Sequence, residues 1–350
     1  MHRVNKNSPA PLALRAVISA AILLLSVFHF TPPLSAQAID QLKSAAAGVE
    51  IPYLPVPANA TVDRMAPGFN VYFISVGQGD SEYIELPNGQ NVLIDGGPDS
   101  AGASGLSRFL TGKNVTEIHH VILTHPHADH YNGLNYVFSN IKVDNFYDTK
   151  MDNTGSSVDD RLRAQAKNLG VNLVYPAPGD SLAWGAGVGA KVFNSCPQPA
   201  ASGVGQAINN CSIVIKVSYQ NSSVLFTGDA QGDVEASMAA NYGSQLKADV
   251  LKVGHHGSRY SSTQAFLAAV QPKRAYIEVG QNNYGHPTQT AISNLQAAGA
   301  QVFRTDLDGT QEVTADGSGG FSQVSYRDFL PSLPAAPGTA SGTSDDPGAD

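Results

Sequence analysis

A chain of 350 residues can bury one large core or two small ones, and 42% apolar against 14% charged residues excludes a chain disordered throughout. With 21 Lys and Arg against 29 Asp and Glu, the formal net charge is −8, and no extended Lys/Arg run occurs. That balance excludes a protein that grips long nucleic acid through a broad, salt-sensitive basic face.

Residues 1–38 read as a secretory signal peptide. Arg3, Lys6 and Arg15 give a basic start, Ala16 to Phe30 an apolar stretch, and Ala36-Gln37-Ala38 a small-residue cleavage pattern. The apolar stretch is short for a spanning helix, so the expectation is a secreted or periplasmic protein with no membrane span once mature; an uncleaved anchor is the alternative. Loss of those three basic residues takes the net charge from −8 to −11. Residues 39–69, with Pro52, Pro55, Pro57 and Pro67, read as an extended lead-in.

From residue 70 to 330 the pattern is that of a single α/β domain. Val71–Val76, Ser81–Leu86 and Asn91–Ile94 read as strands, the last two joined through the turn signal Pro87-Asn88-Gly89. Further strands are expected near Ile118–Leu123, Val143–Tyr147, Ile213–Tyr219, Ser223–Phe226, Val250–Val253 and Arg274–Val279, with His119 and His120 just ahead of their core strand. Helices are expected over Leu106–Thr111, Gly133–Ser139, Asp159–Asn168, Gly232–Asn241, Thr263–Val270 and Gln289–Ala298. Such alternation fits mixed α/β layers. Residues 331–350, rich in Pro, Ala, Gly and Ser, read as a disordered tail.

The chemistry is concentrated in Thr124-His125-Pro126-His127-Ala128-Asp129-His130, which packs four metal-ligand side chains into six residues. They cannot all turn toward one ion, and on a tight loop they divide between two. Val121-Ile122-Leu123 before the loop reads as a buried strand, so the cluster sits at a strand's C-terminal end, where α/β folds place their ligands. Leu225-Phe226-Thr227-Gly228-Asp229 is a second apolar strand that delivers a carboxylate at its tip. Val250-Leu251-Lys252-Val253-Gly254-His255-His256-Gly257-Ser258 is a third, delivering two imidazoles. Oxygen and nitrogen donors without thiolate suit zinc, manganese or iron.

These segments resemble the metallo-β-lactamase superfamily, and more closely the hydrolase domain of ComEC-type competence proteins. The resemblance covers about residues 70–315 and includes Val76-Gly77-Gln78-Gly79-Asp80-Ser81, Leu93-Ile94-Asp95-Gly96-Gly97, the His-rich loop, Thr227-Gly228-Asp229, His255-His256-Gly257-Ser258, Asn282-Asn283-Tyr284-Gly285-His286-Pro287 and Arg304-Thr305-Asp306 with Gly309. It implies a four-layer αββα sandwich holding two divalent ions, with zinc the expected metal and manganese the alternative. It also implies that His125 and His127 serve the first ion, Asp129 and His130 the second, and Asp229 both. One of His255 and His256 closes the second site; the other faces substrate or supplements coordination. The wider superfamily often has another first-site histidine before the bridging Asp, but here no histidine lies between His130 and His255. The segment Asn210-Cys211-Ser212 stands there instead.

Cys196 and Cys211 are the only cysteines, and in an exported protein they are expected to pair. Competing readings are a Cys211 thiolate filling the first metal site, or two unpaired thiols. Asp129 is expected both to bind metal and to orient the attacking solvent, and His286 to act as a non-ligand acid or as a hydrogen-bond donor to a substrate oxygen; a structural loop histidine is its alternative. Ser258, Asn282 and Tyr284 are candidate substrate contacts, the first two equally readable as turn formers. Asp95 is expected to support the His loop by accepting its hydrogen bonds. The expected function is hydrolysis of a phosphodiester, small-molecule or nucleic-acid. The alternatives are another ester, lactone, phosphocholine or β-lactam substrate, or a non-catalytic binding protein on the same fold.

Overall fold

The computed structural model of the protein describes residues 68–102, 104–196 and 202–326. The signal peptide, nearly all of the lead-in and the C-terminal tail lie outside these residues. Phe69, assigned to the lead-in above, already belongs to the first strand.

β1 (Phe69–Phe73), β2 (Glu82–Glu85) and β3 (Asn91–Ile94) form an antiparallel meander. After α1 (Gly105–Gly112) comes β4 (Glu117–Ile122), parallel to β3. Two helices, α2 (Ala128–Tyr131) and α3 (Leu134–Asn140), lead to β5 (Lys142–Tyr147). The short β6 (Asp152–Asn153) and α4 (Val158–Asn168) precede β7 (Asn172–Val174), which is parallel to β5.

The second sheet starts at β8 (Val188–Asn194). The short β9 (Ser202–Gly203), which pairs with β6, and α5 (Gln206–Asn209) then lead to β10 (Val214–Tyr219), antiparallel to β8 and to β11 (Ser222–Phe226). From β11 onward it is parallel, through α6 (Gly232–Tyr242), β12 (Val250–Lys252), α7 (Gln264–Val270), β13 (Arg274–Ile277), α8 (Gln289–Ala297) and β14 (Gln301–Arg304). The turn α9 (Thr305–Asp308) returns the chain to the first sheet, where β15 (Thr310–Ala315) pairs with β1 and β16 (Phe321–Tyr326) forms the edge.

Strand alternation sorts the side chains into layers. Val71 and Phe73 of β1, Ile84 of β2, Phe226 of β11 and Tyr276 of β13 fill the space between the sheets, with Phe73 stacked on Tyr276 at a ring separation of 4.2 Å. Tyr72, Leu93 and Val121 point the other way, against Phe109, Leu134 and Leu162 of the helices covering the first sheet. Leu225, Leu251 and Ile277 meet Met238, Leu267 and Leu295 on the outside of the second. Each large buried side chain contributes roughly 1.5–3 kcal/mol. The result is an αββα sandwich, the expected fold class.

Seven strands of the described residues were not foreseen, β6, β7, β8, β9, β14, β15 and β16, nor were the short helices α2, α5 and α9. His119 and His120 lie within β4, not ahead of it; His120 is buried against Tyr147 and Trp184.

Candidate metal centre

The C-terminal ends of β3, β4, β11 and β12 come together at one end of the sandwich, bringing Asp95, the loop 124–130, Asp229 and the turn Gly254–Gly257 into one pocket. The loop is held tightly. Gly96 N–H donates to His130 O at 2.6 Å, and a Cβ on Gly96 or Gly133 would run into the backbone of the other, so both must be glycine. His255 and His256 are both left-handed, at φ 50° and 51°, an uncommon conformation for consecutive non-glycine residues.

Hydrogen bonds fix which nitrogen of each ring faces inward. Asp95 accepts from Thr124 N–H at 2.7 Å, from the Thr124 hydroxyl at 2.6 Å and from His130 Nδ1 at 2.7 Å. Its three donors make it the support expected for the loop. With the Thr124 hydroxyl proton committed to Asp95, Oγ1 has only lone pairs to offer His125 Nδ1, 3.1 Å away, so that nitrogen is the donor. His256 Nδ1 donates to the Glu278 carbonyl at 2.9 Å. The bare Nε2 atoms of His125, His130 and His256 therefore all point at Asp229, whose Oδ2 lies 3.8, 3.4 and 3.5 Å from them.

Two donor groups result. His125, His127 and Asp229 form one, with His125 Nε2 and His127 Nδ1 3.0 Å apart. Asp129, His130 and His256 form the other, with His256 Nε2 3.1 Å from Asp129 Oδ2. Nitrogens packed this closely against nitrogens and carboxylates must share cations, protons in the metal-free protein and divalent ions once metal is bound. The buried His130 Nε2 and Asp229 Oδ1, which have no hydrogen-bond partner, are the atoms such a cation would satisfy. Nitrogen and oxygen donors with no thiolate fit borderline divalent ions. The residues present thus fit two metals, and His256 is the member of the histidine pair that joins the second group. His255 sits beside it, its Nε2 3.8 Å from Asp229 Oδ2 and its ring 5.3 Å from that of His286.

The electrostatics carry the same message. Burial alone would lower His130 and His256, but Asp229 with Asp129, Asp95 and Asp80 lifts the first well above the ordinary imidazole value, and Asp229 with Asp80 lifts the second. Burial would raise Asp229, yet His256, His130 and His255 hold it well below the usual carboxylate range. Burial, and then neighbouring His130, depresses His125. His286 is pushed down to about 4 by burial and by the charges of His255 and His256.

Beneath the donors lies a cluster that motif reading did not single out. Glu82, Lys252 and Glu278 extend the alternation of β2, β12 and β13 onto the inter-sheet face, and all are buried together with Asp80. Lys252 pairs with Asp80 and donates to Gly228 O at 3.1 Å. Glu278 is pushed up to about 8 by burial and by Asp80, and Glu82 is raised well above its ordinary value by burial and Glu278. The available sequence signal was a charge in step with inward-facing apolar residues, Glu82 with Ile84, Lys252 with Val250 and Glu278 with Tyr276.

The remaining candidates divide. Tyr284 is 52% exposed, with its ring 5.9 Å from that of His286, at the open side of the pocket. Asn282 is committed to its own turn: its amide donates to Gly280 O and His286 O, and its Oδ1 accepts from the N–H groups of Tyr284 and His286. Ser258 is buried and its hydroxyl accepts from Tyr260 N–H. In the structure both side chains take part in turns. Cys196 and Cys211 are joined as a disulfide with Cα atoms 4.9 Å apart, which removes the thiolate ligand as a reading. Ser212 takes the neighbourhood of the missing histidine, but its hydroxyl lies 3.3 Å from His125 Nδ1, behind the ring, and accepts from Asp229 N–H at 3.0 Å.

The sequence model of the metallo-beta-lactamase superfamily matches residues 74–187 and 202–280. The chain is 33% identical over 257 residues to ComE operon protein 3 of Bacillus subtilis, covering 69% of this chain and 32% of that one. It is 28% identical over 243 residues to competence protein ComA of Neisseria gonorrhoeae, covering 67% and 30%. The aligned part thus spans about a third of each relative's length.

Proposed function

The chain belongs to the metallo-beta-lactamase superfamily, and from that membership we propose that it is a dinuclear, metal-dependent phosphodiesterase. The observation that carries this reading is the convergence of three bare imidazole nitrogens, Asp129 and Asp229 on two adjoining points, with His130 Nε2 and Asp229 Oδ1 otherwise unpartnered. Divalent ions held there, zinc with manganese as the alternative, would supply Lewis acidity, bring the ionisation of water near neutrality and screen charge on the attacked ester.

The chain's own residues do the rest. Asp129, whose side chain is 31% exposed against 3% for Asp229, is the carboxylate placed to orient the attacking water. His255 and His286 wall the open side. Burial lowers both, so near neutral pH His286 serves as an uncharged hydrogen-bond donor to a substrate oxygen. Tyr284 offers a ring to a planar substituent. Similarity to competence proteins supports a phosphodiester, nucleic acid included, and the short supply of basic residues favours a small or locally engaged one. The disulfide supports an extracytoplasmic location, in keeping with the secretory signal read from residues 1–38.

The test is a substrate panel with the zinc- or manganese-loaded protein: bis-p-nitrophenyl phosphate, single-stranded DNA and plasmid, beside lactones and β-lactams. Phosphodiester turnover that a chelator abolishes and added metal restores is expected. Turnover confined to lactones or β-lactams would overturn the proposal in favour of that other hydrolysis.

A further inference from the structure

We propose that Lys252 is a positioning residue of the second metal site: its ammonium, held between the Asp80 carboxylate and Gly228 O, fixes the ring of His256 and the carboxylate of Asp229 for the cation they share. This role presupposes the dinuclear reading above.

Lys252 is fully buried, as is Asp80. A lysine in that position is costly unless paired, and its pairing is specific. The ammonium contacts Asp80 Oδ2 and donates to Gly228 O at 3.1 Å. Gly228 immediately precedes Asp229 and is itself left-handed, at φ 49°; its carbonyl also accepts from His255 N–H at 3.1 Å. The one charge therefore holds the backbone from which Asp229 projects. On its other side, Asp80 Oδ1 lies 3.2 Å from His256 Nδ1 and Oδ2 lies 3.7 Å from His130 Nδ1. Asp80 thus stands behind two imidazoles whose opposite nitrogens face the second donor group. A carboxylate behind a metal-binding imidazole fixes the ring and strengthens its donor nitrogen.

Lys252 keeps that carboxylate in place. Without it, Asp80 would be a buried anion beside Glu82 and Glu278, with no lysine to offset it. The three carboxyl groups lie close enough to hold a cation of their own, and Lys252 fills that role. The strand geometry explains how: Val250 faces the inter-sheet core, Leu251 the outer helices, and Lys252 returns to the inter-sheet side directly below Asp229.

Metal titration by calorimetry, with cobalt(II) absorption as a second readout, tests this on the wild-type protein, Lys252→Met, Lys252→Arg and the double variant Asp80→Leu with Lys252→Met. The wild type should take up two ions. Lys252→Met should bind the second ion roughly 10–100-fold more weakly, and the first, which meets this pair only through Asp229, by a smaller factor. The double variant leaves neither charge unpaired, so it is expected to fold even where Lys252→Met does not. A merely structural pair predicts normal metal binding in that folded double variant; a positioning pair predicts the same loss at the second ion. Lys252→Arg retains the charge but not the point contact with Gly228 O, and should shift the cobalt spectrum. Second-ion affinity within about threefold of wild type in the double variant, or an unchanged spectrum in Lys252→Arg, would overturn the role. Failure of the wild type to bind a second ion would instead sink the dinuclear reading.

Discussion

His130 donates from Nδ1 to Asp95 Oδ2 at 2.7 Å, and this one bond turns its other nitrogen toward Asp229. Asp95 comes from the end of a strand in the antiparallel meander and His130 from the loop after the next strand. The ligand geometry is therefore anchored in the first sheet before any cation is involved.

Asp229 is the hub that both donor groups share, with four imidazoles within 3.8 Å of its Oδ2. Asp229→Asn removes the charge that both ions require. Turnover and metal content should fall together, by more than the roughly 100-fold that losing a supporting partner costs. Elemental analysis beside a rate measurement checks this; full metal content with lost activity would show that Asp229 is not a ligand.

Metal uptake should release protons. In the metal-free protein the surrounding carboxylates, Asp229 foremost, raise His130 and His256 against the effect of burial, so both rings favour a proton that an incoming ion must displace. Those protons stabilise the metal-free fold fully below pH 6.5, and that contribution is lost as pH rises through the folded values. Affinity for zinc should accordingly rise with pH, and calorimetry in buffers of different ionisation enthalpy should register release approaching about two protons per chain.

His286 touches none of the donor atoms described above, so His286→Ala should leave both ions bound. Loss of one hydrogen bond to the substrate predicts a fall in kcat of about tenfold. Loss of metal in that variant would make His286 a ligand.

Glu278 is held neutral to about pH 8, against 4.5 unfolded. The folded chain therefore keeps a proton that the unfolded chain gives up, and stability falls as pH rises from 4.5 toward 8. Glu278→Gln copies the neutral form. It should melt at least ~2 °C above wild type at pH 8, with the two curves converging below pH 4.5. Equal melting at both pH values would refute the buried, neutral acid.

Much of this was readable from the chain. The loop 124–130, Asp229 and the His255-His256 pair each follow an apolar strand, and that local rule located them. The six helices of seven or more residues fall where they were expected. Sequence left open which of His255 and His256 joins the second group, because the choice depends on two left-handed residues and on the Glu278 carbonyl from a different strand. β8, Val188–Asn194, was missed because it follows Gly-rich sequence with only a short apolar alternation. β15 and β16 were missed because Gln311, Glu312 and Gln323 interrupt theirs; Gln311 is buried because its amide is satisfied by Gln323 and Ser325 of β16 and by the Asp308 and Gly309 carbonyls. Lys252 and Asp80 are 172 residues apart, and no local pattern reveals that they meet.

The donor atoms come from both sheets: His125, His127, Asp129 and His130 from the N-terminal one, Asp229 and His256 from the C-terminal one. Neither half of the chain owns a complete set. A cation lodged there acts as a rivet through the two leaves of the sandwich, and it can seat only after the leaves have closed. Capture of the ion would then be a late event in maturation, and a chelator would act first on the seam between the leaves, before either leaf comes apart.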